Sequence, residues 1–123
     1  GRRVVYESPY LALMENLKRD LHTLFYLDIR DENLMRACEG AELLLEMARQ
    51  KGDKVLAKRL AVAVARAGSD DCVVRAVPLE QMCAVELGEP LHVLIVPAEL
   101  HFIEAEALVA FAGAPESILE SSR

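Results

Sequence analysis

Tryptophan is absent, and aromatic side chains make up only 5% of the 123 residues. The core must therefore be aliphatic, built from Leu, Val, Ile and Ala. Cysteines number three, Cys38, Cys72 and Cys83, with no close CxxC pair. That spacing gives no metal knuckle or redox motif, and it fits small core residues in a reducing cytoplasm. Basic residues are scarce in the second half: residues 61–123 carry 3 against 10 acidic ones, for a net −7, whereas residues 1–60 are at +1. Such a surface repels phosphate backbones, so direct nucleic-acid binding is not expected. No apolar run approaches the roughly 20 residues that cross a bilayer. Gly1-Arg2-Arg3 leads straight into a strand-like Val4-Val5-Tyr6, which does not read as a signal peptide. With 53% hydrophobic and 28% charged side chains, disorder is excluded. The length suits one domain over 1–123.

The pattern along the chain alternates between elements. Ser8-Pro9 reads as a helix start, followed by Leu11, Met14, Leu17 and Leu21 at helical spacing. Residues 21–29 read as a strand covered on both faces and ending near Asp28. Leu34 to Arg49 is helical, with Cys38, Ala41, Leu44, Leu45 and Ala48 as its buried stripe, and Gly52-Asp53 stops it. Leu60 to Ala65 is a buried strand whose small residues let neighbouring layers approach. A tight turn at 68–71 leads into Cys72 to Val77, antiparallel to it. A short helix runs from Pro78 to about Val85. His92 to Val96 is a third apolar strand. His101 to Ala112 is a helix, with Gly113 just past its end. The expected architecture is an α/β three-layer sandwich, with a five-stranded mixed sheet flanked by helices.

Familiar catalytic signatures are missing. There is no G-x-S-x-G, P-loop or GxGxxG, and His22, His92 and His101 have no ligand partner at metal spacing. Glu104 and Glu106, two apart, point to different faces of their helix, so they are no acid/base pair. No metal site and no catalytic residue is assigned. What remains are the strand ends, where α/β proteins receive ligands: Tyr26-Leu27-Asp28, Arg66 to Ser69, and the flanks of His92 to Pro97. By residue type alone, Leu27 also reads as core, Ala67-Gly68-Ser69 as a plain turn and His92 as a hydrogen-bonded structural histidine. Residue type leaves both readings open.

Several segments in order resemble one family. Leu21-His22-Thr23-Leu24 with Leu27-Asp28-Ile29, then Ala65-Arg66-Ala67-Gly68-Ser69, are similar to stretches of archaeal and eukaryotic diphthine synthases. So are Gly88 to Pro97, Leu100 to Glu106 and Ala112 to Leu119. Two positions depart from that pattern: Asp20 stands where the family has Gly before Leu-His-Thr, and Ala98 where Gly follows Val-Pro.

The resemblance implies the C-terminal half of a two-domain, tetrapyrrole-methylase-like methyltransferase whose N-terminal domain is not in this chain. It implies S-adenosyl-L-methionine held between the domains, with Leu27, Ala67 and His92 as cofactor contacts. It further implies methyl transfer to a modified histidine of a translation elongation factor during diphthamide biosynthesis, in a cytoplasmic homodimer. On this reading the chain alone folds without methylating. The alternatives are a non-catalytic dimerisation or interaction module, or a domain of a related tetrapyrrole methylase.

Overall fold

The segment Leu60-Ala61-Val62-Ala63-Val64-Ala65 alternates two kinds of apolar side chain, and the two faces of the sheet follow from that alternation. In a computed structural model, which describes residues 2–27, 29–30 and 33–122, Ala61, Ala63 and Ala65 face one layer of helices and Val62 and Val64 the other. The chain forms α1 (Arg2–Lys18), β1 (Thr23–Tyr26), β2 (Ile29–Arg30), β3 (Asn33–Leu34), α2 (Ala37–Gln50), β4 (Leu60–Ala65), β5 (Val73–Pro78), β6 (His92–Val96), α3 (Phe102–Ala112) and α4 (Ile118–Ser121). Short 3-10 turns cover Leu56–Lys58 and Leu79–Ala84.

The main sheet has the order β1-β6-β4-β5, and every neighbouring pair is antiparallel. This corrects the expected five-stranded mixed sheet in two respects. The fifth strand, at Val4-Val5-Tyr6, is the first part of α1, and Pro9 lies inside that helix rather than at its start. Local β preference of the two valines is overridden by packing further along the helix, where Tyr10 and Leu13 are buried in the core. The sheet is not mixed because β6 inserts between β1 and β4. These two strands run in the same direction without touching, and each pairs antiparallel to β6. The remaining strands, β2 and β3, form a separate two-stranded hairpin.

The strand expected over 21–29 is shorter and is the edge of the sheet, with Leu24 exposed on one face. Asp28 lies outside the described residues. The helix expected from Pro78 is a 3-10 turn. By contrast, β4 and β6 have the expected limits, and Gly113 closes α3 in the left-handed conformation at φ 72°.

Three layers result. On one face, α1, α2 and the 3-10 turns enclose Leu13, Leu56, Leu79, Met82, Leu94 and Val96, all fully buried. Each such side chain contributes about 2 kcal/mol through burial. On the other, α3 and α4 cover Val62, Val64, Ala76 and Ile95 with Leu108, Val109, Ala112 and Ile118. Small residues set the spacing of the first pair of layers. A Cβ on Gly40 of α2 would stand 2.9 Å from Leu27 Cδ2, so this glycine lets the helix lie against the residue that follows β1.

One polar link crosses the helical layer. Tyr10 donates from its hydroxyl to Asp53 Oδ2 at 2.9 Å, and Asp53 Oδ1 accepts from the N–H of Val55. Burial, and then the neighbouring carboxylate, push the Tyr10 phenol up to about 12. Burial works against the Asp53 carboxylate, but the hydrogen bonds from Val55, Tyr10 and Leu56 outweigh it and lower its pKa.

The cysteines are not three small core residues. Cys38 and Cys83 form a disulfide, and Cys72 is a free, exposed thiol. Packing of the 3-10 turn Leu79–Ala84 on α2 brings the two together across 45 residues of sequence, a proximity that local spacing does not encode.

Candidate functional site

Because β1 and β4 both run antiparallel to β6, the carboxyl ends of β1 and β4 and the amino end of β6 fall at one edge of the sheet. Leu27 follows β1, Ala67 lies two residues beyond the end of β4, and His92 opens β6 opposite Ala65. The topology therefore brings the three residues picked from the sequence to one edge. They differ in surroundings: Leu27 is buried against α2, Ala67 is exposed at the turn, and His92 is only 4% exposed.

His92 uses both ring nitrogens. Nδ1 accepts the N–H of Ala37, the first residue of α2, at 3.0 Å, and Nε2 lies 3.1 Å from the carbonyl of Gly88. An Nδ1 that accepts and an Nε2 that donates define the neutral Nε2–H tautomer. The ring thus ties the start of a helix to the loop before β6, and it satisfies a helix N–H that would otherwise be unpaired. This arrangement holds backbone in place and leaves neither nitrogen available for proton transfer.

A second clamp on the same loop is Arg66, whose importance the sequence did not reveal. Its residue has φ 53°, a left-handed conformation that directs the chain out of β4. Its backbone N–H donates to the Leu91 carbonyl at 2.7 Å. Its guanidinium donates to the carbonyls of Leu87, at 3.0 Å, and Glu89, while Nη2 reaches the carbonyl of Asp71. Nε stands 3.0 Å from the Asp71 carboxylate. Gly88, at φ +76°, passes so close that a Cβ there would be 3.1 Å from Nη1. Ser69 Oγ donates to the Asp71 carboxylate, and this bond, followed by the Arg66 charge, holds that group below its ordinary pKa. Arg36 adds a third tie, donating from Nη1 to the Gly88 carbonyl at 3.0 Å. An arginine in an Ala-rich turn reads as solvated surface; its fork geometry, matched to several carbonyls, exists only once the loop 85–91 has folded over it.

The opposite edge of the sheet is built around another histidine. His22 Nδ1 accepts the N–H of Ala98 at 2.9 Å, and Nε2 meets Glu104 Oε2 at 3.2 Å. The N–H of His101 donates to Glu104 Oε1 at 2.9 Å. That bond, ahead of the contribution from His22, lowers the Glu104 pKa. Asp20 carries φ 57° and accepts the N–H of Glu99 at 3.1 Å. The positive φ at a site where the family pattern has Gly explains that pattern, and Asp is among the residues that tolerate it. Ala98 has no positive φ, so its departure from Gly carries no backbone strain. A cavity of about 420 Å³ opens at this edge, lined by Leu17, Arg59, Leu60, Pro97, Ala98 and Ile118 among others.

No family model matches the chain. Individual proteins do. A diphthine synthase of Methanococcoides burtonii is 48% identical over 98% of this chain and 46% of its own length. One from Methanosarcina mazei is 43% identical with the same coverage. The chain is homologous to the diphthine synthases. It corresponds to a C-terminal portion of them and spans somewhat less than half the length of the relatives it matches. Its fold agrees: the crystal structure of a diphthine synthase superposes with a TM-score of 0.83 at 34% identity, covering 94% of this chain and 44% of that one. Among the described residues, no helix is long and apolar enough to cross a membrane.

Proposed function

We propose that this chain is the C-terminal domain of a diphthine synthase. In that enzyme S-adenosyl-L-methionine supplies a methyl group for the modified histidine of a translation elongation factor. The observation that carries the reading is the convergence of Leu27, Ala67 and His92 on one sheet edge, within a fold and sequence homologous to diphthine synthases.

The residues at that edge suit an adenosine. Leu27, packed against α2, backs this edge with apolar surface, and the Ala67-Gly68 turn is open, with nothing within 4 Å of where a Gly68 Cβ would stand. Backbone groups at strand ends can read a purine edge where side chains are small. His92 contributes by position, since its ring fixes the Gly88 loop and the start of α2. When bound, the cofactor carries the reactive methyl and its leaving sulfur. The chain's own residues orient it and limit water access, which is the main requirement of an in-line displacement. No acid or base on this chain is assigned to the chemistry.

Homodimerisation is part of the same proposal, and one observation favours an interaction role beside it. Helix α3 is apolar around most of its circumference and leaves Ile103 and Phe111 78% and 80% exposed.

The test is calorimetric titration of S-adenosylhomocysteine into the chain, alone and with the N-terminal portion of a relative added. Heat of binding that His92→Ala or Ala67→Glu abolishes supports the reading. Equal affinity in wild type and both variants contradicts it.

A further inference from the structure

The Cys38–Cys83 pair stands apart from the ligand edge yet is joined to it. Cys38 is the second residue of α2, and Cys83 lies in the 3-10 turn Leu79–Ala84. Beyond that turn the chain enters the loop 85–91 and then β6. This loop carries the Leu87, Gly88 and Glu89 carbonyls held by Arg66, Arg36 and His92. The first turn of α2 and its cap consequently meet the segment 83–92 through the disulfide, Arg36 to Gly88 and Glu89, and Ala37 to His92.

One of these links is covalent and can be opened by a chemical signal. Cys83 is exposed and Cys38 is only partly buried, so a small dithiol can reach the bond. Exposed disulfides are the readily reduced ones, whereas structural bonds resist reduction. This one sits at the hinge end of the loop that the ligand edge depends on.

We infer that Cys38–Cys83 is a redox latch: closed, it fixes the loop 85–91 on the first turn of α2; open, it releases that loop and with it Gly88 and His92. Opening is a two-electron reduction by a dithiol. A reductant thiolate attacks Cys83 Sγ, the S–S bond breaks, and Cys38 leaves as a thiolate that takes up a proton. The second thiol of the reductant then resolves the mixed disulfide, releasing Cys83 as a thiol and leaving the reductant as a disulfide. The inference stands on the geometry alone and does not depend on which ligand the edge receives.

The experiment uses the chain with Cys72→Ser, which removes the one free thiol and any exchange through it. Thiols are counted in denaturant after equilibration with oxidised glutathione or with reduced dithiothreitol, and amide hydrogen exchange is followed on both native forms. The latch predicts no reactive thiol in the oxidised form and two in the reduced form. It also predicts exchange about tenfold faster or more at Ala37 and Val85 on reduction, through local opening, while the central amides of β4 remain slower and exchange only with global unfolding. The Cys38→Ser/Cys83→Ser double variant, which has no thiol left to count, should match the reduced protein in its exchange. Three results would overturn the inference. The pair could stay reduced under oxidised glutathione. Exchange at Ala37 and Val85 could be unchanged, or could proceed only as fast as global unfolding exposes β4. Finally, Zn2+ could protect both thiols without oxidation, which would make Cys38, Cys83 and the adjacent Glu42 carboxylate a metal site instead.

Discussion

The two edges of the sheet use the same device in different settings. At each, a histidine accepts a backbone N–H at Nδ1 and places Nε2 against an oxygen, so one ring joins two segments distant in sequence. At the His92 edge the ring is buried and its oxygen partner is a carbonyl. At the His22 edge the side chain is about 40% exposed and its partner is a carboxylate. The first arrangement fixes backbone independently of charge. The second leaves its strength to the ionisation of Glu104. The loop at the His92 edge is further held by arginine forks and a covalent bond, whereas the described contacts of the His22 edge are all non-covalent. On the proposed function, a ligand edge that relies on backbone groups needs those groups held still, and the stronger ties lie at the edge proposed for it.

The comparison yields predictions that decrease in size. Reducing Cys38–Cys83 opens a closed loop of 45 residues' separation, which should lower the unfolding free energy by about 4 kcal/mol on the chain-entropy account. Chemical denaturation with and without dithiothreitol measures it; an unchanged midpoint would remove the covalent difference between the edges. His92→Ala should cost about 2–4 kcal/mol, because it leaves the Ala37 N–H and the Gly88 carbonyl without partners in a buried place. His22→Ala should cost about 1 kcal/mol, since water can replace its partners. Equal losses from the two histidine variants would erase the contrast drawn here.

Acid separates the edges further. The folded-state pKa of Glu104 lies below its ordinary value of 4.5. Its contribution is therefore complete above that value and is lost as pH falls through the folded pKa. On acidification, exchange at the Ala98 and His101 amides should accelerate before exchange at Ala37. Simultaneous acceleration would mean that Glu104 does not control its edge. A further pair of variants concerns Asp20. Asp20→Ala keeps the left-handed backbone but loses the bond to Glu99 and should cost about 1–2 kcal/mol. Asp20→Gly trades that bond against relief of the backbone and should change stability by less than about 0.5 kcal/mol. Thermal melts of the two variants distinguish the cases.

Much of this organisation was readable beforehand where local chemistry decides structure. The strands at 60–65 and 92–96 are short apolar runs bounded by turn residues, and Gly113 marks the end of α3 for a conformational reason. The stretches 26–28, 66–69 and the flanks of 92–97 read as strand ends, and the resemblance to diphthine synthases singles out Leu27, Ala67 and His92 within them. Other features depend on contacts between distant segments. Val4-Val5 reads as strand because its local preference is β, and tertiary packing makes it helix. The Cys38–Cys83 bond follows from the docking of the 3-10 turn on α2. Arg66 becomes a clamp only when the carbonyls of 87–89 fold around it. The neutral tautomer of His92 likewise follows from its two partners and not from its neighbours in sequence.

The most direct test is to record amide chemical shifts of the labelled chain, mixed with the N-terminal portion of a diphthine synthase, before and after adding S-adenosylhomocysteine. If the Leu27–Ala67–His92 edge receives the adenosine, the shifts that ligand addition causes will cluster at residue 27, at 66–69 and at 91–93, and residues 20–22 and 97–104 will be unaffected. Ligand-induced shifts centred on the His22 edge, or absent from the chain altogether, would contradict the account.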